Sequence, residues 1–144
     1  MGMKTYLIDD DKLGIYLTEQ LLRAEGFSNS ISSFESAREA LDKLLGEKAD
    51  TTPQVIFLDL NMPLMDGWQF LEALQPYRER LLGHCSIYIL TSSLALADLE
   101  KSRHYDLVTG LIHKPIDSGE IRAIQAQLQP TTGPSSGPAA PSRP

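Results

Sequence analysis

The run Gln54-Val55-Ile56-Phe57-Leu58 ends on a lone carboxylate, Asp59, and that junction constrains the fold more than any other stretch of the 144 residues. A short, continuously apolar segment suits a strand covered on both faces, and cover on both faces means helices above and below a parallel sheet. The rest of the chain repeats the theme. Met3 to Ile8, Asn29 to Ser33, Ile87 to Leu90 and Gly110 to His113 also read as strands. Between them stand stretches of helical period. Strands joined by helical crossovers run parallel, and right-handed crossovers stack the layers. The expected fold is α/β, a three-layer, doubly wound, five-stranded parallel sheet.

The first helix is expected over Lys12 to Glu25, with Leu13, Leu17, Leu21 and Leu22 at helical spacing, Asp11 as N-cap and Gly26 as its stop. Phe34 to Glu47 follows through Ala37, Leu41 and Leu44-Leu45, capped by Ser33 or Ser36, and a polar connection runs from Gly46 to Pro53. Gly67 opens a helix carrying Trp68, Phe70, Leu71 and Leu74, which Pro76 ends or kinks before a continuation from Tyr77 to Leu82. Leu94 to Tyr105 and Asp117 to Gln129 complete five helices, the last with Ile121, Ile124 and Leu128 inward. From Pro130 the composition turns to Thr, Gly, Pro, Ser and Ala, so one domain over 3–129 and a disordered tail or linker over 130–144 are expected.

Composition excludes several function classes. The chain is 42% hydrophobic and 22% charged, ordinary values for a globular protein. Thirteen basic against nineteen acidic residues leave a net charge of -6 without a basic stripe, which argues against nucleic-acid binding. No apolar stretch approaches the roughly 20 residues of a membrane helix, and the N-terminus lacks the regions of a signal peptide. Met1-Gly2 does not start a myristoylation motif, because Tyr6 stands where Ser or Thr is required. The single cysteine, Cys85, reads as a small buried hydrophobe in a cytoplasmic protein. His84, His104 and His113 have no metal-ligand spacing; Trp68 and Tyr16 read as packing residues, and Arg78-Glu79-Arg80 as a solvated face.

The chemistry gathers at strand ends: Asp9-Asp10-Asp11 after the first, Asp59 after the third, Thr91-Ser92 after the fourth and Lys114-Pro115 after the fifth. Parallel sheets bind their ligands at that edge. Clustered carboxylates repel one another and raise each other's pKa unless a cation neutralises them. Mg²⁺ suits the set, held by carboxylates, waters and phosphoryl oxygens, with Asn61 adding its backbone carbonyl. Asp59 is then a nucleophile able to form an aspartyl phosphate, with Lys114 and Thr91 on the phosphoryl oxygens.

Over residues 3–129 the chain resembles the receiver domain of two-component response regulators. The family's acidic pair maps to Asp9 and Asp10, its phosphoacceptor to Asp59, its hydroxyl to Thr91 and its lysine-proline step to Lys114-Pro115; the Met62-Pro63 and Asp66-Gly67 turn elements match too. The three acids offer two adjacent pairs, Asp9-Asp10 and Asp10-Asp11; the first is favoured because it directly follows the apolar strand and leaves Asp11 free to cap the first helix. The resemblance implies a flavodoxin-like fold with strand order 2-1-3-4-5. It implies a phosphoacceptor switch, not a turnover enzyme, that takes its phosphoryl group from a sensor histidine kinase or a histidine phosphotransfer protein and alters contacts with a downstream protein partner in a phosphorelay. Asn61 and Ser93 flank the route of attacking water in this family.

One position departs from the pattern. Three residues before Lys114, where the family usually carries Tyr or Phe, stands Leu111. This puts the readout through the segments 94–105, 110–113 and 117–129 in question. Leu94, Leu96, Leu111 and Ile121 are expected partly in the core, and any of them left exposed would form a partner patch. A receiver-like adaptor that docks a partner independently of phosphorylation is the alternative reading. A haloacid-dehalogenase-type phosphatase needs a second Asp where Asn61 stands, an FMN-binding flavodoxin would find its phosphate repelled by Asp9-Asp10-Asp11, and a Gly-rich nucleotide loop is missing.

Overall fold

The computed structural model describes residues 3–46, 52–93 and 95–128. The expected tail over 130–144, the Met1-Gly2 start, Leu94 and most of the connection between Gly46 and Pro53 lie outside the described residues. The element order is β1 (Lys4–Ile8), α1 (Lys12–Ala24), β2 (Ser30–Phe34), α2 (Ala37–Gly46), β3 (Val55–Asp59), α3 (Gly67–Leu74), α4 (Arg78–Leu81), β4 (Ser86–Thr91), α5 (Leu96–Ser102), β5 (Val108–His113) and α6 (Ser118–Leu128). A 3-10 turn, Gln75–Tyr77, joins α3 to α4 at the expected Pro76 break. The five strands form one parallel sheet in the order β2-β1-β3-β4-β5, as expected.

The two-residue period of the strands sorts the core into two layers. Tyr6 and Ile8, Ile56 and Leu58, and Ile87 and Ile89 face α2 and α3, where they meet Leu41, Leu44, Phe70 and Leu74. Leu7, Val55 and Phe57, and Tyr88 and Leu90 face α1 and α6, meeting Ile15, Leu22, Ile121 and Ile124. All five residues of β3 are buried. Each buried large apolar side chain contributes about 1.5–3 kcal/mol, and two such layers make β1 and β3 a stiff mount for whatever follows them.

Several boundaries move. Phe34 closes β2 instead of opening α2, and Ser36 is the cap, its hydroxyl accepting from the Glu39 amide at 3.1 Å. β5 begins at Val108, because a register shift opposite Ile87 and Tyr88 lets Thr109 bulge out of the ladder. α5 is shorter than expected, ending at Ser102. Leu13 and Leu17 are 64% and 56% exposed, and Tyr16 is exposed as well, contrary to their expected inward packing. Ile15 and Leu22 are the buried apolar residues of α1, and Leu21 packs partly buried against the same layer.

Candidate functional site

Three side chains converge where β1 and β3 end. Asp59 is the last residue of β3 and is buried; Asp9 directly follows β1 and is also buried; Asp10, beside it, is exposed. One carboxylate oxygen from each lies within 4.8 Å of the others. Lys114, just beyond β5, reaches both buried acids, its Nζ 3.3 Å from Asp9 Oδ2 and 3.4 Å from Asp59 Oδ1. Asp11 is occupied differently. Its side chain accepts from the Leu13 amide at 3.1 Å and caps α1, while its own amide donates to Asp9 Oδ1 at 3.0 Å. Beside the cluster opens a cavity of about 280 Å³, lined by Asp9 and Lys114 together with Leu13, Leu17, Pro115 and Ile116.

Electrostatics at this edge are unfavourable to the isolated chain. The Asp59 pKa is pushed up to about 6, first by burial and then by the Asp9 carboxylate; the Lys114 charge, its hydrogen bond and one from the Asn61 backbone amide act the other way. Burial depresses the Lys114 ammonium, but Asp59 and Asp9 outweigh it, so its pKa ends above the ordinary lysine value. A fold that buries two carboxylates around one ammonium keeps an uncompensated negative charge. Three oxygen donors of this kind suit one hard divalent cation that retains several waters.

A family model for the response regulator receiver domain matches residues 6–126. The chain belongs to the response regulator receiver family. Relatives of this receiver include PilG of Pseudomonas aeruginosa, 30% identical over 104 residues that cover 71% of this chain and 70% of that protein. Sporulation initiation phosphotransferase F of Bacillus subtilis is 29% identical, with 81% and 86% covered. The transcriptional regulator NtrC of Klebsiella pneumoniae is 29% identical over 94% of this chain, but the receiver spans only 28% of NtrC's length. Among solved structures, a two-component response regulator from Cytophaga hutchinsonii superposes with a TM-score of 0.80 at 23% identity, covering 90% of this chain and 98% of that one. A bacteriophytochrome response regulator, RtBRR, gives 0.73 at 27% identity, covering 96% and 85%.

The receiver's remaining candidates are placed more loosely. Thr91 ends β4, buried, with its hydroxyl donating to the Ser93 carbonyl at 2.9 Å and accepting from the Ser93 amide at 3.1 Å, so it is engaged within its own loop. Asn61 is exposed, two residues past Asp59. Leu111 is half-buried against the layer that holds Tyr105 and Leu107. Leu96 is 67% exposed and Ile121 is buried. Arg78 is no free surface charge, since its guanidinium lies 3.2 Å from Asp106. Cys85 is free and buried, and burial lifts its thiol to about 12, well away from thiolate chemistry.

Gly14 escaped the sequence reading of the site, and Gly67 was read as a turn element and helix start without its contact to the strand end. A Cβ on Gly14 would stand 3.2 Å from Asp11 Oδ2 and 3.4 Å from Asp9 Oδ2, and one on Gly67 would stand 2.9 Å from the Asp59 carbonyl oxygen. Gly14 had a readable signal, because glycine inside a helix costs about 1 kcal/mol relative to alanine and needs a reason to be there. The close-packed start of α3 is secured by Asp66 and Gln69, whose side chains each accept from the other's amide, at 2.8 and 2.9 Å.

Proposed function

We propose that this receiver accepts a phosphoryl group on Asp59 from a phosphohistidine of a sensor kinase or phosphotransfer protein, and that Asp9, Asp10, Asp59 and the Asn61 carbonyl hold Mg²⁺ for the transfer. The observation that carries this reading is the burial of Asp59 beside Asp9 with Lys114 within 3.4 Å of both. A bound Mg²⁺ supplies positive charge against the acid cluster and the incoming phosphoryl oxygens. An Asp59 carboxylate oxygen forms the new bond to phosphorus as the phosphorus–nitrogen bond breaks, and the electron pair leaves with the imidazole nitrogen. Lys114 stands where it can follow a phosphoryl oxygen, moving from one anion to another. Thr91 supplies a hydroxyl at the neighbouring strand end.

The product is an acyl phosphate on the chain itself, so the receiver works as a switch on protein contacts and not as a turnover enzyme. Asn61 and Ser93 border the route of hydrolytic water and set the lifetime of the phosphoryl group. No helix among the described residues is long and apolar enough to cross a membrane, and with the acidic net charge this supports work in the cytoplasm on protein partners instead of nucleic acid. Incubation with acetyl phosphate and Mg²⁺ followed by intact mass measurement tests the reading. One phosphoryl mass is expected on the wild type and none on Asp59→Asn; no gain, or an equal gain on both, would overturn it.

A further inference from the structure

The loop between β3 and α3 holds one residue in a conformation that its side chain resists. Leu64 has a φ of 70°, and among the described residues no other non-glycine has a positive φ. The Met65 amide donates to the Pro63 carbonyl at 2.8 Å, so with that φ the chain makes the rare, strained γ-turn, centred on Leu64. A β-carbon crowds the backbone carbonyl there, which is why glycine or asparagine ordinarily takes such a position. The loop is pinned on both sides. Met62 is buried, Met65 packs partly buried against the layer under α2 and α3, and the Gly67 amide closes the loop onto the Leu60 carbonyl at 2.9 Å. Turning both methionines inward leaves Leu64 outward and fully exposed.

A lone exposed leucine is ordinary on a protein surface, but this one burdens the isolated chain twice, with backbone strain and with apolar area left in water. Glycine would remove both without losing a packing contact, since a fully exposed side chain has none to lose. Strain of this kind concentrates at functional positions. Leu64 stands five residues past Asp59, on the loop that leaves the phosphoacceptor strand. Asp59 is itself buried, so a protein that delivers a phosphoryl group there must close its surface over the surrounding loops. We propose that Leu64 is a specificity-determining contact for the phosphohistidine-bearing protein, held outward by the γ-turn to enter an apolar recess beside that protein's histidine. The inference rests on the phosphoacceptor reading of Asp59. The pinned loop presents the side chain in one place, which lowers the ordering cost of binding and gives the strain a use.

Leu64→Asn tolerates the left-handed backbone and removes the apolar contact, whereas Leu64→Met keeps the contact. The full chain and both variants are offered, with Mg²⁺, the histidine kinases and phosphotransfer proteins of the same organism, each carrying radiolabelled phosphate on histidine, and separately acetyl phosphate. With the protein that loads the wild type fastest, the initial rate of transfer is expected to fall about tenfold in Leu64→Asn and to stay within about twofold in Leu64→Met. Acetyl phosphate has no surface that reaches Leu64, so its rate, read by intact mass, is expected to be equal in all three proteins. The urea midpoint of Leu64→Asn is expected not to fall, because strain is relieved and no packing is lost; a lower midpoint would overturn the argument from strain. Equal protein-to-protein transfer in wild type and Leu64→Asn overturns the contact. So does a matching fall with acetyl phosphate, which would make Leu64 a part of the site's own shape, and so does transfer from none of the proteins when acetyl phosphate loads the wild type. No mass gain from acetyl phosphate on the wild type overturns the phosphoacceptor reading instead.

Discussion

Phe57 and Asp59 sit two residues apart on β3, on the same side of the strand, and burial acts on them with opposite sign. Phe57 is fully buried in the layer under α1 and α6, where loss of water contact stabilises the fold. Asp59 is 4% exposed, and there the same loss penalises the ionised carboxylate. The difference shows how the receiver is built: the apolar interior supplies the rigidity that holds a charge in an unfavourable place. A perturbed carboxylate at the edge of a well-packed sheet is a feature that clusters at functional sites.

The interior half of the comparison breaks most severely. Phe57→Ala is expected to cost about 3–5 kcal/mol, read by urea unfolding, because it deletes a ring packed between Phe27 and Tyr88 at centroid distances of 5.8 and 6.1 Å. A loss under about 1 kcal/mol would mean that this layer repacks freely and cannot act as a mount.

Asp59→Asn is the inverse experiment and should stabilise. The folded-state pKa of Asp59 is raised from 3.8 to about 6, so the folded chain favours the protonated acid. Its contribution is fully favourable below about pH 4 and is lost as pH rises through about 6. Above that window the ionised carboxylate penalises the fold, and the variant is expected to be about 2 kcal/mol more stable than wild type in metal-free buffer. The gap closes as pH falls to about 4, and Mg²⁺ narrows it at neutral pH. Thermal melts across this range check the sign; a destabilised variant at neutral pH would show that Asp59 contributes packing, not strain.

The legibility of these features followed the range of the forces behind them. Strand order came with the family resemblance, and strand placement with local apolar runs such as Val55 to Leu58, which need no partner to be recognised. The acids were legible for the same reason, each following an apolar run at one edge of the sheet. The orientation of α1 was not. Its sequence carries apolar residues on two sides, Leu13-Leu17 and Ile15-Leu22, and period alone does not say which of them meets the sheet; the folded chain buries Ile15 and Leu22. The stacking of Trp68 on Tyr105, with Lys101 over the Trp68 ring, was also invisible, since Lys101 and Tyr105 lie more than thirty residues away in sequence and meet Trp68 only in the folded chain.

A smaller effect sharpens the boundary between interior and edge. Asp66→Ala removes the cap of α3, whose first turn rests on the Asp59 backbone, and is expected to cost about 1 kcal/mol. The Gly67 contact involves the Asp59 carbonyl and not its carboxylate, so Asp59→Asn leaves it in place. The cost of losing the cap should then be equal in wild-type and Asp59→Asn backgrounds, within about 0.5 kcal/mol. Chemical denaturation of the four proteins closes the cycle. A larger difference would mean that the helix start feels the carboxylate charge directly, joining the stabilising interior and the strained edge into one unit.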